Sequence, residues 1–510
     1  MRFSEKKKGA NTTVNYEGEV AYKLTPKMEL YTLVCTASLQ KKFYTDSDEC
    51  ISRLRGLLHK VPIEFSAKLA IYAREKMYLR SIPLVLVVEL LKRKEDYVTT
   101  VAQSKLMEDL VTRVIQRADE IPEILSYFQL ANNREGTKKL NKLPNALKKG
   151  VARAFHKFDE YQFAKYNRAT EVTIRDAMFL THPKPIKAKE ELFKKIADNT
   201  LDIPYIWEVE LSKADGRNKK EKWESLIASK KVGYMAQLRN LRNMLEENVD
   251  NLQIVLDNLA DKEAVLKSRQ LPFRFFSAYR EIANVGSFKA SAVMECLEEA
   301  IIHSTQNIKG FDLNTNVLIA CDMSGSMNCS LSSKSKIQNY EVGLTLGMLL
   351  QHRCRAVVTG IFGEDWKVVQ LPRTNILANT HKLSDMEGEV GHSTNGYKAI
   401  RWLNTNQIKA DKVFIFTDCQ LWNSDDAWMQ VNSINRKRVS ALQIEWSNYK
   451  KVMPNAKLYI FDLAGYGNTP IDLSTKDVYM IAGWSEKVFN VLDAIEKGES
   501  SLSEVERIEI

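Results

Sequence analysis

An all-α helical-repeat region followed by an α/β, doubly wound domain is the architecture this sequence predicts. Three observations carry it. Apolar residues recur at helical spacing through roughly the first 310 residues. Beyond that point short Val/Ile/Phe-rich runs alternate with amphipathic stretches. The charge balance changes at the same place: the chain carries 74 Lys+Arg against 64 Asp+Glu, whereas residues 311–510 carry 21 against 23 and residues 1–310 carry 53 against 41. A chain of 510 residues is too long for one ordinary core, so a multidomain protein is expected, divided into 15–310 and 311–510.

In the first part Phe65, Leu69, Tyr72 and Ala73 fall on one helical face, as do Met107, Leu110, Val111 and Val114. Ala, Leu, Lys and Glu dominate, and alternating Val/Ile runs are absent, so no strand is expected there. Val61-Pro62, Ser81-Ile82-Pro83, Ile121-Pro122, Leu143-Pro144 and His182-Pro183-Lys184-Pro185 each suit a helix start or the break before one. Helices of about 10–16 residues joined by short turns suggest stacked antiparallel pairs, as in α-solenoids, with no tight sequence period. The polar stretch from Lys213 to Lys222 reads as an exposed loop.

In the second part the runs Asn316–Cys321, Arg355–Gly360, Lys412–Phe416, Lys457–Phe461 and Asp477–Ile481 read as strands. Tyr340–His352 and Tyr397–Leu403 lie between them as helices, which implies a parallel sheet. Ligands of such sheets bind at the carboxyl ends of the strands. Asp322-Met323-Ser324-Gly325-Ser326 sits at one such end, and residues one, three and five of this loop turn their oxygens to one side. One carboxylate and two hydroxyls are hard ligands that suit Mg2+ or Mn2+. Thr394, in the loop Gly391–Gly396, and Asp418, after the run Lys412–Phe416, can complete the shell.

Composition narrows the class. Hydrophobic content of 44% and charged content of 27% are those of a soluble globular protein. The longest apolar run, Ile82–Leu91, is interrupted by Pro83 and Glu89 and is too short to span a bilayer. Charges at Arg2 and Lys6–Lys8 precede no apolar stretch, so neither a signal peptide nor an anchor is expected, and the location expected is cytoplasmic. Seven scattered cysteines without a CxxC pair read as reduced, mostly buried thiols. Seven histidines without HExxH give no zinc hydrolase. Gly391–Lys398 nearly has phosphate-loop spacing, but Tyr397 stands where the essential lysine belongs. Asp322 and Asp418 with serine ligands are too few carboxylates for two-metal phosphodiester chemistry, so no enzyme is expected.

The basic excess of the helical part points to a polyanionic partner. Lys138, Lys139, Lys142, Lys148, Lys149, Arg153, Lys157, Lys165, Arg168 and Arg175 crowd into fewer than 40 residues, with Phe155, Phe158, Tyr161, Phe163 and Tyr166 among them. Lysines neutralise phosphates, and aromatics can stack on unpaired bases. At spacings of three to four residues, however, these aromatics are more often core than platform. His182 can likewise be a helix-end residue bonded to a backbone carbonyl.

The DxSxS loop followed by Thr394 and Asp418 resembles the metal-ion-dependent adhesion site of von Willebrand A domains. Lys165-Tyr166-Asn167-Arg168, then Leu180-Thr181-His182-Pro183-Lys184-Pro185, resembles the KY…R…LSHxKP signature of the TROVE module, and Met235–Asn243 is similar to its MxxLLRNL helix. On these motifs the chain is identified as a member of the Ro ribonucleoprotein family, of the bacterial type, from about residue 15 to the end. The resemblance implies a ring of HEAT-like helical repeats closed by a von Willebrand A domain. It implies small noncoding Y-like RNA on the outer basic surface and single-stranded 3′ ends of misfolded or decaying RNA in the central hole. It also implies a non-catalytic, monomeric cofactor of an exoribonuclease in RNA quality control. Lys165 and His182 fall on family positions linked to RNA contact. Arg168 stands one position early, and Ser393-Thr394-Asn395 replaces the family's Gly-Thr-Asp, which makes Ser393 a rival to Thr394. Arg239 and Arg242, on the MxxLLRNL-like helix, are expected to meet single-stranded RNA. The competing class is a protein-interaction scaffold whose metal site captures a partner's carboxylate without RNA.

Overall fold

The computed structural model describes residues 11–37, 47–93, 101–132 (side chains from 104), 143–202, 207–212, 218–305, 311–331, 335–423 and 439–510. They form two compact units. One comprises 54–232 with 505–510, the other the segment up to residue 53 together with 233–504.

The first unit is helical. Ile63–Glu75 packs on Ser81–Lys92, Ser81–Lys92 on Glu120–Ala131, and Val101–Val114 on Asn145–Ala154, burying faces made of the residues that the 3.6 spacing singles out. Prolines mark the starts as expected. Pro62 and Pro144 are N-caps, and Pro83 and Pro122 lie in first turns, where a missing N–H costs nothing. A side chain at Gly150 would stand 2.6 Å from Val111 Cβ, so glycine lets Asn145–Ala154 seat against Val101–Val114. A buried ion pair ties the helix ends. Arg74 Nη2 donates to Glu120 Oε1 and Oε2 at 2.6 and 2.9 Å, Arg74 Nε donates to the Val114 carbonyl, and Glu120 accepts from the Gln116 and Arg117 backbone N–H groups. Of the stretch 213–222, expected as a loop, the last residues belong to the helix Lys219–Ala228, and 213–217 lie outside the described residues.

The second unit is built on a six-stranded sheet. In chain order its strands are β3 (Asn316–Asp322), β4 (Ala356–Phe362), β5 (Trp366–Val368), β6 (Lys412–Thr417), β7 (Lys457–Asp462) and β9 (Val478–Ala482). The spatial order is β5-β4-β3-β6-β7-β9. Five strands are parallel, as read from the sequence; β5 is an antiparallel edge, which corrects the expectation of a purely parallel sheet. β5 spans three residues, too few for a periodic signal. Helices Asn339–Arg353 and Tyr397–Thr405 fall where predicted.

A second correction lies near the start of the chain, which was expected to be helical. β1 (Thr12–Val14) and β2 (Val20–Lys23) form a hairpin, and β2 pairs with β8 (Asn468–Thr469). These strands are two to four residues long and depend on a partner distant in sequence, so no local pattern announces them. Helices Tyr234–Glu246, Pro272–Ala283 and Ala290–Ile302 also belong to this unit. Glu298 from the last of them accepts from the Leu377 and Ala378 N–H groups, capping the helix Ile376–Ser384 of the α/β domain. Burial there holds the Glu298 carboxyl above the usual range.

Candidate metal centre and basic surface

β3 and β6 are adjacent central strands, so their carboxyl ends bring Asp322 and Thr417-Asp418 side by side. Asp322 Oδ1 accepts from the Ser324 N–H at 2.9 Å, and Oδ2 accepts from Thr417 Oγ1 at 2.6 Å. The Ser324 and Ser326 hydroxyls lie 3.3 Å apart. The third loop is brought in by backbone bonds: Gly325 N–H donates to the His392 carbonyl at 2.9 Å, and Asn395 N–H donates to the Gly363 carbonyl at 2.8 Å. Gly363 permits this approach, since a Cβ there would stand 2.2 Å from the Gly391 carbonyl oxygen. Asp322, Ser324, Ser326, Thr394 and Asp418 are all buried, whereas Ser393 is half-exposed.

The electrostatics of this cluster are unfavourable for two bare carboxylates. Burial raises the Asp322 carboxyl to about 6. Burial first, and the neighbouring Asp322 second, raise Asp418 to about 8. Asp418 Oδ1 accepts from the Gln420 N–H at 2.9 Å, but its buried Oδ2 has no hydrogen-bond partner among the described residues. An uncapped carboxylate oxygen beside a second carboxylate and three buried hydroxyls is an all-oxygen donor set that fits a hard divalent cation. Among the described residues no group of three or more His, Cys, Asp and Glu side chains gathers elsewhere, so no soft-metal or zinc-type set competes with it there.

Sequence reasoning did not assign roles to Thr417, Gln420 and Asn15. Thr417 orients Asp322 and accepts from the Cys419 N–H at 3.2 Å, in a turn where Cys419 adopts φ 66°. Gln420 Oε1 accepts from the Tyr16 N–H, and Asn15 Nδ2 donates to the Leu421 carbonyl, so the hairpin braces the loop that carries Asp418. The Thr417-Asp418 pair was visible in the sequence. The bracing residues lie some four hundred positions away and gave no signal.

The basic residues divide between the units. Lys138, Lys139 and Lys142 lie outside the described residues. Lys149, Arg153, Lys165, Arg168 and His182 are in the first unit and Arg239 and Arg242 in the second. Lys149, Arg168, His182 and Arg239 are exposed, and Lys165 is half-exposed beside Tyr166. Arg153 is paired with Glu108 at 3.0 Å and Asp109 at 2.6 Å, and Arg242 with Glu246 at 2.8 Å and Glu281 at 3.1 Å. Both arginines therefore spend charge on neighbouring helices. Phe155, Phe158 and Phe163 are buried against one another and Phe193, so these aromatics are core. Tyr161 is exposed, and Tyr166 lies under the Arg117 guanidinium. His182 ends the helix Ile174–Thr181 in a left-handed turn. Its backbone N–H bonds to the Met178 carbonyl, and its side chain faces outward.

A doubly wound sheet with this oxygen cluster at the ends of β3 and β6, preceded by a long helical region, defines a helical-repeat protein with a von Willebrand A-type domain. The TROVE domain model matches residues 24–201 and 199–323, and the Ro60 vWA domain model matches residues 316–495. The chain belongs to the Ro family. It is similar in fold to the Ro (RSR) protein of Deinococcus radiodurans, with a TM-score of 0.57 and 17% identity, covering 93% of this chain and 100% of that one. It is 25% identical over 344 residues to telomerase protein component 1 of Mus musculus and 24% identical over 341 residues to that of Rattus norvegicus. These matches cover 50% of this chain but only 13% and 12% of the relatives. Among the described residues no helix is long and apolar enough to cross a membrane.

Proposed function

We propose that the chain is an RNA-binding protein of the Ro type. Small structured Y-like RNA binds the basic face of the helical region. Unpaired 3′ ends of misfolded or decaying RNA enter the hole of the ring that the family resemblance implies. The protein works in RNA quality control in the cytoplasm as a non-catalytic cofactor beside an exoribonuclease. The observation that carries this reading is the segment after the helix Ile174–Thr181. It holds His182, Lys184 and Lys187 exposed within six residues, on a backbone fixed by the left-handed turn at His182. Lysines held outward on a backbone restricted by Pro183 and Pro185 suit phosphates better than a flexible tail would, because less freedom is lost on binding.

The metal site takes Mg2+ or Mn2+ through Asp322, Ser324, Ser326, Thr394 and Asp418. Held by these residues, the ion would supply Lewis-acid attraction for a further oxygen ligand. The chain's own part is to hold Asp322 between Ser324 and Thr417 and to keep Asp418 dry.

Gel-shift titration of a stem-loop RNA tests the reading. Lys165→Glu with His182→Ala should weaken binding while the melting temperature stays unchanged. Purified protein with no absorbance excess at 260 nm, and no shift of any RNA, would instead support a metal-dependent protein scaffold.

A further inference from the structure

A cavity of about 790 Å3 in the second unit plays no part in the metal centre or in the basic segment at His182. Its walls are the end of the helix Tyr234–Glu246, one face of Pro272–Ala283, the loop 285–289 and Lys336 of the α/β domain. Phe288 stands at its mouth with its ring fully exposed to water.

The loop beneath that ring is fixed. Ser287 N–H donates to the Val285 carbonyl at 2.9 Å, and Ala290 N–H donates to the Ser287 carbonyl at 3.1 Å. Lys289 Nζ reaches across to the Val249 carbonyl at 2.9 Å, tying the loop to the turn at Asn248 that closes the opposite wall. An aromatic ring is thus held in solvent by an ordered backbone, which removes most of the ordering cost of stacking something on it.

The floor is polar and charge-compensated. Arg242 and Lys336 both bond to Glu281, at 3.1 and 3.0 Å. The Lys336 bond first, then that of Arg242, holds the Glu281 carboxyl below its usual range. Arg242 also bonds to Glu246. Arg280, the third cation of the lining, bonds to the buried Glu341, so each cation there has a carboxylate partner, and the Asn248 and Asn284 amides add donors and acceptors. Such a floor suits a neutral, flat, hydrogen-bonding group better than a phosphate. One turn away on the same helix, Arg239 is exposed, has no ion pair among the described residues and lies near the likewise exposed Arg274, where a phosphate chain would be welcome.

We propose that Phe288 is a stacking platform for an unpaired nucleobase of single-stranded RNA. The cavity behind it receives the base edge, and Arg239 carries the adjoining phosphate. This rests on the RNA-binding reading above and gives it a second, structurally separate contact. A cavity of this size has room for one to two nucleotides on the scale of ordinary ligand sites.

Fluorescence anisotropy with labelled oligo(U), oligo(A) and a blunt stem-loop tests the site on the full chain. Phe288→Ala should weaken the oligonucleotides by roughly tenfold or more, since base–aromatic stacking is worth that much per base. It should leave the stem-loop and the melting temperature unchanged, because the ring touches only water. Phe288→Trp should restore the affinity. Ultraviolet crosslinks from a bromouridine-substituted oligonucleotide should map to the peptide that holds Phe288. Wild-type oligonucleotide affinity in Phe288→Ala, or equal losses for all three RNAs, would overturn the stacking site while leaving an RNA-binding protein. Failure of the wild type to bind any of the three would overturn both readings.

Discussion

Asp418→Asn should stabilise the metal-free protein and remove its response to Mg2+. Asp418 is fully buried with one carboxylate oxygen uncapped, and the charge that acts on it most is that of Asp322. Its carboxyl titrates near 8 in the folded chain, against about 4 for an unfolded aspartate. Between those values the folded state keeps a proton that the unfolded state releases, so stability falls as pH rises through the window and flattens above it. At about 1.4 kcal/mol per pH unit, the ceiling on this loss is on the order of 5 kcal/mol. Asn keeps the oxygen that accepts from the Gln420 N–H and does not ionise. In EDTA at pH 8 the variant should therefore melt above wild type by up to about 10–20 °C, at roughly 2–4 °C per kcal/mol for a domain of this size. At pH 4 or below, where the unfolded state keeps the proton too, the two should nearly coincide. Added Mg2+ should raise only the wild type and reverse the order. Scanning calorimetry across pH 4–8.5, with and without Mg2+, reads all three. Parallel pH profiles for the two proteins in EDTA would refute the reasoning.

Four further outcomes are expected. Asp322→Ala should abolish Mg2+ and Mn2+ binding in titration calorimetry without changing RNA affinity, and undiminished metal affinity would sink the assignment. RNA affinity should fall steeply with salt, and Lys165→Glu with His182→Ala should flatten the log–log slope by roughly one to two; a flat wild-type response would argue against phosphate contacts. Glu120→Gln should cost about 3–5 kcal/mol in denaturant unfolding, because it strands the buried Arg74 guanidinium, and a loss below about 1 kcal/mol would show the pair to be solvated. Arg239→Ala should weaken RNA with an unpaired tail at full stability, whereas Arg242→Ala should first lower the melting temperature, since it breaks the bonds to Glu246 and Glu281. Identical behaviour of the two variants would contradict the difference in their pairing.

The features readable from sequence were those whose cause is local. β3 and β6 are buried on both faces, so Val317–Cys321 and Val413–Phe416 appear as unbroken apolar runs. The DxSxS loop is legible because its oxygens lie within five consecutive residues. Features set by a distant partner were not legible. The spacing of Phe155, Phe158 and Phe163 suits a core and a stacking face equally, and only packing against Phe193 decides for the core. Arg242 looks like a free cation until the fold places Glu281 beside it, thirty-nine positions on. Phe288 follows Gly286-Ser287 in a short polar loop, and nothing in that pattern separates an exposed ring from a buried one.

The hairpin of β1 and β2 has a consequence for how the chain is made. During synthesis its residues emerge long before β8, with which β2 pairs, since β2 ends at Lys23 and β8 begins at Asn468. The Asn15–Leu421 bond alone spans 406 positions. Until Asn468 and Thr469 arrive, β2 has only β1 beside it, and the pairing with β8 must close over a very long loop. A fragment of residues 311–510 produced alone would carry the metal ligands but leave Gln420, Asn468 and β8 facing water, with an unpaired strand edge beside the loop that holds Asp418. The sheet edge beside the metal loop thereby depends on the hairpin, so a fragment lacking it would hold a destabilised metal loop rather than an independent metal-binding module.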